Sequence, residues 1–390
     1  MGRLEIVNVN AHLHTPYSFS AFDSIPQALD MAVAQGVKVV GINDFYTMKG
    51  YGEWSVECAK RRLYPLFNIE FIGLQESDQE RGIRVNDPNN PGRTYLAGKG
   101  LMCPSSLGEP YASQLDRIVE ESNNQVRAMC EKLNGLLEES TAGFSLHFEN
   151  IEKVLTKGMV RERHLAKALR IAAYTHFKND PDAIRAFFDK LFHGRALRSE
   201  VSDVAGVENE IRGNLLKAGG AAFVSEDPRA FLPVEDVIAI VRSAGGIPTY
   251  PFLGEDAKGA FTDFEEDLEN AAAVLKERGI YSAEFITPRN GAAMMEKYAG
   301  YLWDHGFIVT FGSEHNTPVM EPVELFAAGG VELTGKLKEI NYMGACVIAA
   351  HQDLVASGRQ GYLDERGIAD TVNRDRYIAH GDKVIKSTIR

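Results

Sequence analysis

Cysteine is scarce in this 390-residue chain, and what there is does not cluster: Cys58, Cys103, Cys130 and Cys346 are scattered and form no CxxC pair. That argues against a cysteine zinc knuckle or a disulfide framework and suits a reducing cytoplasm. The N-terminus shows no basic-then-apolar leader pattern, so a cytoplasmic location is expected. No apolar run approaches the roughly 20 residues of a membrane span. Basic residues are outnumbered, 42 Lys and Arg against 54 Asp and Glu, for a net charge of −12. Nucleic acid and anionic membrane surfaces are therefore not expected as partners. A small anionic substrate is still compatible, because a bound metal can supply local positive charge. There is no internal repeat and no low-complexity segment. The Gly-Gly pairs at 219–220, 245–246 and 329–330 read as helix stops or turns, not phosphate-cradling loops.

What is present is an ordinary globular composition, 44% hydrophobic and 25% charged, in a chain long enough for one large domain or two. Its most informative feature is His12 and His14 in Asn10-Ala-His-Leu-His-Thr15, directly after the apolar run Leu4–Val9. That run reads as a strand, and residues two apart on extended chain share a side. Both imidazoles would then face one spot past the strand's C-terminal end. Imidazole is the commonest protein metal ligand, although two polar histidines decorating a strand end would look the same.

The following segments alternate. A helix from Asp23 or Ser24 to Gly36, with Pro26 in its first turn, leads into the strand Val37–Ile42, which ends at Asn43-Asp44. A helix over Glu53–Arg62 precedes the strand Leu66–Ile72, which carries Glu70. The pattern returns after residue 233, with strands at Ile247–Tyr250, Tyr281–Ile286 (bearing Glu284) and Phe307–Phe311 leading into Gly312-Ser-Glu-His315. Repeated βα units with polar residues at strand ends predict a parallel barrel with its chemistry on the C-terminal face. Residues 77–100 read as a long loop or hairpin. The barrel is assigned to residues 1–111 and 226–320, a helical insertion to 112–225, and a helical C-terminal extension to 321–390.

In order, these segments resemble the polymerase and histidinol phosphatase (PHP) superfamily of metal-dependent phosphoesterases, over residues 4–320. The HxH motif is matched by His12, His14, Thr15 and Ser18. An Asp-His motif is half matched, by Asp44 with Phe45 in the histidine's place. A bridging glutamate is matched by Glu70. The insert motif is matched by Glu162–Leu169, with His164 kept and Glu162 at the arginine's position. Gly245–Pro251 fits a Gly-Gly…His-Pro motif with Tyr250 for histidine. Gly312–Asn316 fits the last motif, with Glu314 for aspartate and His315 one place early. The resemblance implies a distorted seven-stranded (β/α) barrel with a helical insert.

It further implies a first metal site of His12, His14, Glu70 and Glu314, a set suited to zinc, manganese or iron. The positions for further metals hold Tyr250, Tyr95 or Thr94, Ser20 or a neighbour, Phe45 and Asn316, so one site is expected and a second is conceivable. Asp44 is a candidate to orient a ligand histidine or act on water, with His315 as a second candidate for that chemistry. His164, Arg161, Arg163, Tyr250 and Glu284 are candidates for the substrate's surroundings. Glu284 could equally form a barrel-wall salt bridge, and Lys99 could offset substrate charge. His147 is the weakest ligand candidate. Three readings stay open: hydrolysis of a small phosphoester, hydrolysis of a carbon–nitrogen or ester bond at a single metal, and a degenerate PHP-like binding protein.

Overall fold

The apolar runs become seven main strands: β1 (Asn8–Leu13), β2 (Val37–Phe45), β3 (Tyr64–Leu74), β4 (Arg93–Lys99), β5 (Ile247–Phe252), β6 (Ser282–Ile286) and β7 (Ile308–Gly312). The computed structural model describes residues 4–256 and 259–390; residues 1–3, 257 and 258 of the expected barrel range lie outside it. The strands follow chain order around the sheet. All neighbours are parallel except at β4, which runs antiparallel to both β3 and β5. β4 lies in the segment 77–100 that the sequence suggested as loop or hairpin.

The barrel nearly closes where β1 meets β7. Leu13 bridges Glu314, the His14 N–H donates to the Glu314 carbonyl (2.8 Å), and the Glu314 N–H donates to the His12 carbonyl (3.0 Å). Gly312 permits this approach, because a Cβ there would sit 2.2 Å from the Cβ of His12. The seam also corrects the expected position of β1. The strand begins at Asn8, not Leu4, so His12 lies inside it and His14 just beyond. Pairing with β2 on one side and with the end of β7 on the other sets those bounds, which apolar character alone cannot.

The helices follow their local signals. Ile25–Ala34 starts at Ser24, whose hydroxyl accepts the Gln27 N–H, and it carries Pro26 in its first turn. In the insert, helices Tyr111–Glu139, Phe148–Leu155, Glu162–His176, Pro181–Leu191 and Val204–Ile211 pack a hydrophobic cluster of their own, including Leu133, Leu169, Phe188 and Val207. Beyond the barrel, helix Gly335–Ala356 crosses the N-terminal ends of the parallel strands. Its Asn341 donates to the Val9 carbonyl and accepts from Phe311, and its Gln352 bonds Pro65 and Phe67. Helix Arg374–Ile389 covers it in turn. Among the described residues no helix is long and apolar enough to cross a membrane.

Candidate metal centre

The alternation of β1 places His12 and His14 on one side, with ring centroids 5.0 Å apart. Each ring is held through Nδ1. His12 Nδ1 lies 2.7 Å from Glu284 Oε2, and His14 Nδ1 lies 3.1 Å from the Ser18 hydroxyl. Ser18 in turn donates to Asp44 (2.6 Å), which also accepts the Thr15 N–H (2.7 Å) and hydroxyl (2.5 Å). With Nδ1 engaged on both rings, each Nε2 faces Glu70, and that of His12 also has the Asn43 amide nitrogen at 2.9 Å. This is the usual support of metal-ligating histidines, in which an outer partner fixes tautomer and ring direction.

The three ligand-capable atoms then converge. His14 Nε2 lies 3.1 Å from Glu70 Oε2 and 3.1 Å from His12 Nε2, and His12 Nε2 lies 3.7 Å from Glu70 Oε2. In a tetrahedral zinc site with bonds of about 2.0–2.1 Å, neighbouring ligand atoms sit roughly 3.3 Å apart. All three residues are buried, and Glu70 Oε2 makes no hydrogen bond. Burial pushes the Glu70 carboxyl well above the usual carboxylate range, with His12 opposing. Burial, reinforced by His12, drives His14 down to about 3. A buried carboxylate oxygen without a hydrogen-bond partner, beside a neutral imidazole, is a donor set that a cation would satisfy. The residues therefore fit a divalent transition metal, and His12, His14 and Glu70 form a cluster that could hold one.

Glu314 stands beside this cluster without joining it. Glu314 and His315 both adopt left-handed backbone (φ 65° and 62°), so the chain turns sharply as it leaves β7, and the Glu314 carboxylate pairs with Arg289. Of the expected four-residue set, the structure gathers His12, His14 and Glu70, while the carboxylate of Glu314 pairs with Arg289. For His315, the expectation of a group acting on water is corrected. Its Nδ1 engages Ser313 (2.9 Å), its Nε2 engages the Glu321 carbonyl (2.8 Å), and the ring stacks on Phe22. Asp44 is likewise committed by its three hydrogen bonds and serves to hold His14 through Ser18.

The remaining candidates divide. Tyr250, expected near substrate, instead donates its hydroxyl to buried Glu265 (2.9 Å) among Phe252 and Phe264, because its strand position faces away from the barrel interior. Phe45, at a position where the resemblance suggested a histidine, stacks on His14 with centroids 5.1 Å apart. The Arg161 guanidinium lies 5.2 Å from the Phe45 centroid, and its ion pair with Glu162, at 3.8 Å, is too long for a hydrogen bond. Arg163 turns towards the insert, donating to Asn209 (3.3 Å). His164 accepts the Arg161 N–H on Nδ1 (2.9 Å), and burial lowers it to about 3, so the neutral ring carries its proton on Nε2. His147 precedes helix Phe148–Leu155 in the insert and is not among the residues that gather with Glu70.

Lys99 is corrected as well. Its ammonium is fully buried inside the barrel and lies 2.5 Å from Glu284 Oε1, so its charge is already paired within the protein. The pairing of Lys99 with Glu284 escaped the sequence reading. A lysine at the end of the short apolar stretch Tyr95-Leu-Ala-Gly98 was the available signal, since such a group is buried only with a partner.

No family model matches the chain, and no curated protein matches it. Solved structures do share its fold. An amidohydrolase from Chromobacterium violaceum, determined with bound sulfate and no metal, aligns with a TM-score of 0.55 at 17% identity, over 86% of this chain and 96% of that one. A provisionally assigned metal-dependent phosphoesterase from Bifidobacterium adolescentis aligns with a TM-score of 0.53 at 14% identity, over 87% of this chain and 96% of that one. The chain thus has the nearly closed, TIM-barrel-like architecture of these proteins.

Proposed function

We propose that this chain is a PHP-like metal-dependent hydrolase that acts on a small phosphoester. The observation that carries the reading is the convergence of His12 Nε2, His14 Nε2 and Glu70 Oε2, with both Nδ1 atoms already engaged. These three residues would hold one zinc, manganese or iron ion. Such an ion polarises a substrate oxygen and lowers the pKa of water from ~15.7 to about 7. Around it, Phe45 and half-buried Tyr95 form an aromatic wall at positions where further metal ligands were expected, so charge on the substrate must be met otherwise. Arg161, beside Phe45, would meet it with a planar fork suited to two phosphoryl oxygens. His164, in the same turn and edge-on to Phe19, would have its Nε2–H to donate to a substrate oxygen.

A second reading is hydrolysis of a carbon–nitrogen or ester bond. The gathering of one three-residue ligand cluster favours it, as does the shared fold with an amidohydrolase. One experiment separates the two. Protein is purified without added metal, its metal content is measured, and it is reconstituted with zinc, manganese or iron. Phosphomonoesters are then assayed beside amides and lactones. Turnover of phosphomonoesters that is lost in Glu70→Ala is the expected result; turnover confined to amides or lactones would select the second reading. Less than half an equivalent of metal, with Glu70→Ala behaving as wild type, would remove both.

A further inference from the structure

The barrel interior holds a chain of charge that the proposed reaction does not itself use. Lys99 Nζ donates to Glu284 Oε1 (2.5 Å), and Glu284 Oε2 lies 2.7 Å from His12 Nδ1. All three side chains are buried to 0% exposure. Lys99 has two further acceptors, the Ala11 carbonyl (3.1 Å) and Asn43 Oδ1 (3.3 Å). Each group comes from a different wall: Lys99 from antiparallel β4, Glu284 from β6, His12 from β1 and Asn43 from β2. The arrangement therefore spans the barrel interior beneath the candidate metal centre.

A fully buried ammonium is costly and is retained only where it is paired. An apolar residue of similar volume would fill the same space without that cost. What the lysine adds is direction. By taking Oε1, it leaves Oε2 as the oxygen that meets His12 Nδ1, and this fixes which ring nitrogen bears the proton. With the proton on Nδ1, His12 presents a bare Nε2 to Glu70 and His14. Asn43 links the two ends, since its Oδ1 accepts from Lys99 while its amide nitrogen lies within hydrogen-bonding distance of both His12 ring nitrogens, 2.9 Å from Nε2 and 3.2 Å from Nδ1, and can donate to the unprotonated Nε2 until a metal takes its place.

We propose that Lys99 is a positioning residue for the metal centre, acting through Glu284 to set the tautomer and aim of His12. The proposal rests on the reading of His12, His14 and Glu70 as a metal site. It predicts a non-additive pair. Mn2+ binding is measured by titration calorimetry for wild type, Lys99→Met, Glu284→Gln and the double variant, with melting temperature recorded for each. Each single change is expected to weaken Mn2+ binding about 10- to 100-fold, the usual range for an outer partner of a ligand histidine. The double variant should be no worse than the weaker single. A folded Lys99→Met that binds Mn2+ like wild type would overturn the proposal, as would additive losses.

The 15N spectrum of wild-type protein without metal keeps the test open if Lys99→Met fails to fold. His12 is expected to be protonated on Nδ1 and bare on Nε2, and the opposite tautomer overturns the inference. If the wild type binds no Mn2+, the metal reading fails while the tautomer measurement still reports on Lys99 and Glu284.

Discussion

His12 and His14 stand two residues apart on one edge of the barrel, yet they are secured by different means. His14 is held locally: Ser18 is four residues away, and Asp44, which fixes Ser18, comes from the next strand. His12 is held from across the barrel by Glu284, 272 residues later in the chain, and by Lys99 behind it. The local clamp is a hydroxyl relayed to a carboxylate; the distant one is a direct carboxylate backed by an ammonium. Hydrogen bonds to charged groups contribute about 1.5–3 kcal/mol and neutral ones about 0.5–1.5 kcal/mol. The two histidines should therefore differ in what it costs to release them.

The most forceful way to break this comparison is Gly312→Ala. The added Cβ collides with His12 at the β1–β7 seam and leaves the Ser18–Asp44 clamp untouched. Overpacking of this kind costs about 1–3 kcal/mol. Denaturant unfolding should show that loss, and metal binding should fall while the His14 Nδ1–H stays bonded to Ser18 in the 15N spectrum. Retained stability would mean that the seam is looser than its geometry implies.

Ser18→Ala sharpens the comparison from the other side. It removes a neutral hydroxyl from His14 and should weaken Mn2+ binding by about 2- to 10-fold, the equivalent of one neutral hydrogen bond. Glu284→Gln should cost more. Equal losses in the two variants would erase the proposed distinction between the clamps.

A separate effect, on stability and not on metal binding, lies away from the mouth. His351 is buried on helix Gly335–Ala356, its Nε2 bonded to the Gly245 carbonyl (2.7 Å), and burial lowers it from 6.5 to about 4. As the pH falls below 6.5 the unfolded chain gains a proton that the folded ring does not take up. This contribution to stability is complete above pH 6.5 and is lost as the pH falls towards about 4. One proton corresponds to roughly 1.4 kcal/mol per pH unit. Melting temperatures scanned across that window should fall less steeply in His351→Gln than in wild type; parallel slopes would exclude His351 as a source.

The contrast between near and far also explains what could be read from the chain alone. The βα alternation, the His12–His14 pair, and Glu70 and Asp44 as strand-end carboxylates are written in short-range periodicity and motif order, whereas the hydrogen bond from Ser18 to Asp44 needed the fold. The bounds of β1 were not, because β2 and β7 set them. Arg289 neutralising Glu314, Glu265 capturing Tyr250 and Glu284 meeting Lys99 each join distant strands or loops, and no local pattern marks such pairs. The C-terminal segment was legible as helical, but the seat of Asn341 against Val9 and Phe311 could not be seen without the fold.

That seat has a consequence for how the protein is made. β1 leaves the ribosome early, but the edge it offers to β7 and the floor under Val9 come from residues 308–314 and 335–356. At about 5–20 residues per second, translation leaves β1 without that edge partner for tens of seconds. An unpaired strand edge is a template for pairing with other chains. Nascent molecules that stall before residue 356 should therefore depend on chaperones, whereas completed ones can close the barrel.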